Sequence, residues 1–279
     1  MGASMARNLH QAGLLAAVYN RSPARAAAFA AETGCAPAAS LQELAGVCDA
    51  VVLCVSADAD VLEVVQELAG ALKPGALVID CSTVSADTAR AAARQLAARG
   101  IDFLDCPVSG GTEGAKHGTL AIMCGGDEAA FQRAQPVLGA MGKRLALMGP
   151  TGSGQATKAV NQIVVAGVAQ AVSEALAFAE AQGLSLDKVI DVVGSGAAQS
   201  WFLTNRGPNM MRMDFPLGFK VALHDKDLDI VQRMAGSLGV QLPVVEMTRV
   251  HYRRLMEQGH GEEDISSLFR LKHALFKKG

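Results

Sequence analysis

The feature that most constrains this chain is an alternation that stops halfway. Short runs rich in Val, Ile, Leu and Cys recur at 15–19, 50–55, 76–81, 101–106, 119–124 and 145–148, separated by longer amphipathic stretches. Apolar runs of that length read as strands covered on both faces, and strands alternating with helices imply parallel β-α-β crossovers. The intervening stretches carry helix starts: Ser22 precedes Pro23, and Asp127 precedes the segment 128–141. After Gly149-Pro150-Thr151-Gly152 the strand signals end. The expected architecture is α/β, a doubly wound sheet over 1–150 followed by an all-α domain over 151–279.

The second half opens on a helical stretch over 155–182, which at 1.5 Å per residue extends roughly 42 Å. Its middle, 163–179, is apolar and small on nearly every side. A helix apolar all round is buried all round, and a domain of this size does not wrap so long a helix unaided. A partner subunit is therefore expected, as a homodimer or homotetramer through the C-terminal helices. Further helices are expected near 185–193, 227–238, 243–258 and 266–276, and Trp201, the only tryptophan, reads as core.

Composition excludes several classes. The 25 Lys and Arg against 27 Asp and Glu leave a formal charge of −2, which supplies no cationic face for phosphate backbones, so no nucleic-acid partner is expected. The longest apolar stretch, 163–171, is interrupted by Gln170 and falls short of the roughly 20 residues that span a bilayer. The opening residues lack the basic-then-apolar order of a secretory leader. No membrane association and a cytoplasmic location are therefore expected. None of the six cysteines forms a C-x-x-C pair; they read as buried reduced thiols, with no metal site.

The chain begins Met1-Gly2-Ala3-Ser4-Met5-Ala6-Arg7-Asn8-Leu9, an amphipathic helix almost from its first residue. In a Rossmann-type dinucleotide fold such a helix follows a central strand ending in G-x-G-x-x-G, whose last glycine packs the helix against the sheet. Gly2 reads as that last glycine. The pattern Met1-Gly2-x-x-Met5-Ala6-x-Asn8-Leu9 resembles the tail of the opening motif of the β-hydroxyacid dehydrogenases. That family includes 3-hydroxyisobutyrate dehydrogenase, tartronate semialdehyde reductase and the glyoxylate/succinic semialdehyde reductases. Against its pattern the first strand and first two glycines are missing, and the expectation is a natural start about ten residues earlier. A genuinely short chain would instead bind its cofactor weakly.

Where dinucleotide folds choose their cofactor stand Asn20, Arg21 and Ser22. A carboxylate there accepts from the adenosine ribose, whereas a guanidinium and a hydroxyl suit a 2′-phosphate, which favours NADP(H) with NAD(H) possible. Taken alone, the same residues also fit a helix cap beside an exposed arginine. Val55-Ser56 and Cys81-Ser82-Thr83-Val84-Ser85 sit at strand carboxyl ends, where open α/β sheets bind ligands. The resemblance implies that Met1, Gly2, Val55 and Ser56 lie along the cofactor and Thr83 beside the nicotinamide ribose. By themselves Ser82 and Thr83 form a turn and Ser85 a helix cap.

The segment Asp105-Cys106-Pro107-Val108-Ser109-Gly110-Gly111-Thr112-Glu113-Gly114-Ala115, followed by Gly118-Thr119-Leu120, is dense in glycine directly after a strand. Successive exposed N–H groups in such a loop can hold a carboxylate. Its frame is similar to the family's, which implies that Ser109, Gly110 and Gly111 bind the substrate carboxylate. His117, inside the loop, reads as solvated.

At the domain junction, Gly149-x-x-Gly152-x-Gly154 leads to Lys158, with Asn161 and Gln162 three and four residues on and so on the same helix face. On spacing alone Lys158 fits a snorkelling surface lysine equally well. The resemblance implies that it is the general acid/base and that the amides help hold substrate; Gln162 departs from the usual family residue, as in the tartronate semialdehyde reductase branch. The resemblance also carries Lys226 to the cofactor near the nicotinamide, where the bland reading of Lys226-Asp227 is a helix-start cap.

The implied enzyme is an NADP(H)-dependent oxidoreductase that interconverts a small carboxylate-bearing hydroxyacid and its semialdehyde. Two alternatives stand beside it. One is a dinucleotide-binding protein impaired in catalysis by its incomplete glycine turn; the other is an imine reductase on the same scaffold, against which Lys158 argues.

Overall fold

The computed structural model describes residues 1–277; Lys278 and Gly279, inside the expected second domain, lie outside the described residues. The chain divides into two compact units, Met1–Lys158 and Ala159–Gly279.

The first unit is the expected α/β domain. Strands β1 (Ala50–Leu53), β2 (Leu77–Asp80) and β3 (Asp102–Asp105) pair in parallel, in register Val51↔Val78↔Phe103. Helices α1 (Gly2–Gln11), α2 (Pro23–Thr33), α3 (Leu41–Val47), α4 (Asp58–Ala71), α5 (Ala86–Ala97), α6 (Gly111–Lys116) and α7 (Glu128–Met141) complete the unit with strands β4 (Val108–Ser109), β5 (Leu120–Gly125) and β6 (Gly142–Gly149). Side chains alternate along the strands. Val51, Val78 and Phe103 join Leu44, Val65 and Leu96 in one core, while Leu77, Ile79 and Leu104 join Met5, Phe131 and Leu138 in another. A sheet buried on both faces needs near-continuous apolar strands, which is why these runs are legible.

Two expectations about the sheet are corrected. It is mixed rather than parallel throughout: β5 runs antiparallel to β3 and β4 and parallel to β6. The chain passes from β3 through Pro107 into β4 and returns by way of α6 as β5, antiparallel to β4, which reverses its direction before the α7 crossover. Residues 15–19 form no strand. Val18 makes one isolated parallel bridge to Pro37, donating its N–H to the Ala36 carbonyl and accepting from the Ala38 N–H, and Leu14 and Tyr19 are exposed.

The helix caps follow from sequence. Asp127 accepts from the N–H groups of Ala129 and Ala130, and Ser85 from that of Thr88. Ser22 is the α2 N-cap with Pro23 behind it, but its own N–H donates to Asn20 Oδ1 at 2.9 Å. His117 is exposed beside Glu113.

Helix α8 (Ser153–Ala181) leads into the second unit, which holds α9 (Leu186–Gly194), α10 (Trp201–Met211), α11 (Val221–Gly236), α12 (Pro243–Glu257), a 3-10 turn (Ile265–Ser267) and α13 (Leu268–Ala274). Ala166, Ala169, Val172, Leu176 and Ala177 of α8 pack into its core with Leu228, Tyr252 and Phe269. At 29 residues, α8 is long and apolar enough to cross a membrane by length and composition, contrary to the expectation that no segment is. Averaged hydropathy absorbs the buried Gln162, Gln170 and Ser173, which interrupt the run without lowering its mean far. Half of its most apolar window is buried within the chain. Val160, Val164 and Phe178 stay exposed, so the helix is not covered all round.

Trp201 is not core. It is 62% exposed, with the Arg206 guanidinium 5.4 Å from its ring. Nor do Lys226-Asp227 cap a helix start, because α11 begins five residues earlier at Val221. All six cysteines are free, but Cys54 is exposed and Cys48 half-buried, so only four match the expected burial.

Candidate functional site

In the first unit the expected residues gather at the carboxyl ends of the strands. Val55 and Ser56 follow β1, Thr83 follows β2, and Ser109 to Gly111 run from β4 into α6. Gly110 and Gly111 take φ of +129° and +63°, conformations that favour glycine. A Cβ on Gly110 would meet the Leu120 side chain at 3.3 Å. Asn8 of α1 donates to the Ala115 carbonyl at 2.8 Å and ties the first helix to this loop.

Gly2 opens α1 beside the end of β1: a Cβ there would stand 3.5 Å from Cys54 Cβ, an ordinary contact that does not by itself demand glycine. Met1 is exposed at the helix N-cap, and its carbonyl accepts from Ser4 and Met5. Asn20 is held by its turn with Ser22, whereas Arg21, with its side chain 80% exposed, pairs with Asp60 at 2.9 Å. An exposed guanidinium next to a hydroxyl is a donor set that suits a phosphate monoester. The Val55 N–H donates to Ser82 Oγ at 2.9 Å, and Ser56 is exposed.

Asp105 organises the other side of this unit. Its buried carboxylate accepts from the N–H groups of Gly152 at 2.7 Å and Gln155 at 2.8 Å, and so caps α8 from β3. Burial pushes its carboxyl up from the ordinary value against those backbone donors. The docking is tight: a Cβ on Gly154 would lie 2.4 Å from the Asp105 and Met123 carbonyl oxygens. Lys158, one turn along α8, is 7% exposed, so the surface reading of this lysine fails.

Asp80, at the end of β2, is fully buried. Its Oδ1 accepts from the Ser82 N–H at 2.9 Å, while Oδ2 has no partner among the described residues. Burial pushes its carboxyl up to about 6, with Asp105 and Asp58 adding to the rise and Ser82 opposing it. Asp58, at the start of α4, accepts from the Ser85 N–H and the Thr88 hydroxyl, which joins the first turns of α4 and α5.

The second unit contains a polar chain. Asn161 donates to Gln162 Oε1 at 2.7 Å, Gln162 donates to Asp227 Oδ2 at 2.7 Å, and Asp227 Oδ1 meets Lys226 Nζ at 2.8 Å. His224 lies beneath, 3.0 Å from the Tyr252 hydroxyl and 3.3 Å from the Gln162 carbonyl. Burial pushes the Tyr252 phenol far up, so it stays protonated. Gln162 and Asp227 are buried, and Lys226 is half-exposed. The extra methylene of Gln162, compared with asparagine, extends its amide toward Asp227.

Sequence reasoning misses Asp80, Gln155 and Asp227. Asp80 and Gln155 stand beside motifs whose glycines and hydroxyls are more conspicuous. Asp227 reads as a cap until its helix is seen to begin earlier.

Residues 1–149 match the NAD binding domain of 6-phosphogluconate dehydrogenase, and 152–272 match the NAD-binding domain of NADP-dependent 3-hydroxyisobutyrate dehydrogenase. Among curated proteins, the NAD-dependent L-serine dehydrogenase of Pseudomonas aeruginosa is 34% identical over 284 residues, covering 97% of this chain and 94% of that protein. The 2-hydroxy-3-oxopropionate reductase of Escherichia coli is 40% identical over 194 residues, 70% of this chain and 66% of that one. Of solved structures, Mycobacterium tuberculosis 3-hydroxyisobutyrate dehydrogenase with L-serine superposes with a TM-score of 0.90 at 32% identity, covering 97% and 95% of the two chains.

Proposed function

Because this chain belongs to the β-hydroxyacid dehydrogenase family and is an NAD(P)-binding oxidoreductase, we propose that it interconverts a small β-hydroxyacid and its semialdehyde with NADP(H) preferred. The observation that carries the reading is the burial of Lys158, one turn into a helix whose start is clamped by Asp105.

The cofactor, when bound, supplies or accepts the hydride. Met1 and Gly2 at the start of α1, Asn20, Arg21 and Ser22, Val55 and Ser56, and Thr83 would hold it, with Lys226 reaching it near the nicotinamide. Ser109, Gly110 and Gly111 present backbone N–H groups and a hydroxyl to the substrate carboxylate, which fixes the carbonyl for attack. Lys158 gives a proton to the carbonyl oxygen as negative charge develops there, and takes the alcohol proton in the reverse direction. Asn161 and Gln162 hold substrate oxygens by their amides; the Gln162 bond to Asp227 supports this by fixing the amide's orientation.

The substrate class is taken from relatives that act on 2-hydroxy-3-oxopropionate, 3-hydroxyisobutyrate and L-serine, all small carboxylates. The exposed Val160, Val164 and Phe178 of α8 support a homodimer or homotetramer through the C-terminal helices.

The test follows NADPH and NADH consumption against glyoxylate, succinic, tartronate and methylmalonate semialdehydes, with L-serine in the oxidative direction. Lys158→Ala is expected to lower kcat by about a thousandfold or more while NADPH binding survives. Turnover within about tenfold of the parent would remove Lys158 from the mechanism.

A further inference from the structure

Gln155 has no part in the reading above, yet it is 1% exposed and uses both ends of its amide. Nε2 donates to the Ser82 carbonyl at 2.8 Å, and Oε1 accepts from the Val84 N–H at 3.2 Å. One side chain thus grips the backbone on both sides of Thr83. Its own N–H donates to Asp105 Oδ2, which fixes where that side chain starts. Lys158 follows three residues later, on the same face of the helix.

The chemistry of the grip is specific. A C=O and an N–H flanking one residue need a donor and an acceptor from one planar group, and among side chains only Gln and Asn offer both as a neutral amide. Asn is one methylene shorter. Left unpaired, buried backbone groups at Ser82 and Val84 would make this turn costly. The turn is held from β2 as well, where Asp80 accepts the Ser82 N–H and Ser82 Oγ accepts the Val55 N–H.

We propose that Gln155 is a positioning residue that locks the Ser82–Val84 backbone to the first turn of α8, so that the turn carrying Thr83 and the amine of Lys158 keep one fixed register. This rests on the assignment of Thr83 to the cofactor and Lys158 to proton transfer. A lock of this kind differs from ordinary packing in depending on hydrogen-bond donors and acceptors and not on volume.

Gln155→Met and Gln155→Glu are compared with the parent in the full chain. Gln155→Met is expected to lower kcat about 30-fold and raise the NADPH Kd about tenfold, with KM for the semialdehyde within about twofold. In Gln155→Glu the ionised carboxylate keeps the acceptor and loses the donor, whereas the protonated form regains both. Its kcat, relative to the parent at the same pH, is therefore expected to rise at least about fivefold from pH 8 to pH 6, and its NADPH Kd ratio to fall in step. A packing role would lower Tm without that pH-dependent rescue. The proposal is overturned if Gln155→Met keeps kcat and NADPH Kd within about twofold of the parent, or if the Gln155→Glu ratios are flat with pH. A parent with no turnover on any substrate would defeat the assigned reaction instead; the NADPH Kd values of both variants across pH would then decide the role of Gln155. Should Gln155→Met fail to fold, the pH response of Gln155→Glu decides it alone.

Discussion

Asp105 and Gln155 are joined across fifty residues of sequence: the Asp105 carboxylate accepts the Gln155 backbone N–H at 2.8 Å, and with Gly152 at 2.7 Å it caps the helix that carries Lys158. A strand end and a helix start are thereby fixed to one another inside the first unit. The N-terminal end of a helix favours a carboxylate, and here both of its oxygens are used.

Removing that cap leaves two buried N–H groups unpaired. Asp105→Ala is expected to cost about 3 kcal/mol of stability, read from urea unfolding of the full chain. A loss under about 1 kcal/mol would mean that α8 holds its start by other means.

Asp80 gives a pH signature. Its folded value of about 6 lies above the ordinary 3.8, so the native state binds this proton more tightly than the unfolded chain. The associated stability is fully present below about pH 4 and is lost as pH rises through about 6, a change of about 3 kcal/mol. Asp80→Asn keeps the acceptor for Ser82 N–H and has no charge to gain. Unfolding free energies measured between pH 4 and pH 8 should therefore favour the variant progressively as pH rises; a parent-to-variant difference that does not change with pH contradicts the assignment.

Two glycines separate close approach from open helix. Gly154→Ala would force a Cβ within 2.4 Å of two backbone oxygens, and a loss of about 3 kcal/mol or more is expected, with Lys158 displaced and turnover reduced. Gly139, inside α7, has open space where a Cβ would stand, and Gly139→Ala should gain about 0.5–1 kcal/mol. Thermal melts of the pair check the contrast, which fails if both shift the same way.

Arg21 tests cofactor choice. Its ion pair with Asp60 is exposed and adds under about 1 kcal/mol to stability, so Arg21→Ala should melt with the parent. Its KM for NADPH is expected to rise about tenfold while that for NADH moves less than about twofold. Equal changes for both cofactors would remove Arg21 from recognition of the 2′-phosphate.

Much of the scaffold is legible because burial on both sheet faces writes itself as unbroken apolar runs. The runs at 50–55, 76–81 and 101–106 contain β1, β2 and β3, and Asp127 and Ser85 cap their helices as their residue types require. The run at 15–19 makes only one isolated bridge, since a strand needs a neighbour along its length and an apolar run does not record whether it has one. Helix α10 is not anticipated, with Pro208 inside it and Ser200 as its cap. Within the site, the glycines stand out by their density and Lys158 by the family resemblance, whereas Asp80, Gln155 and Asp227 belong to no periodic pattern.

Sequence alone determined the α/β-then-α order, the glycine loop after β3 and the lysine near the start of the long helix, because periodicity and turn chemistry are local. Tertiary structure alone decided that Lys158 is buried, that Trp201 is exposed, and that Asp80 carries an unpaired carboxylate oxygen among the described residues. Desolvation and hydrogen-bond pairing depend on what the rest of the chain brings alongside, and no stretch of sequence contains its own neighbours.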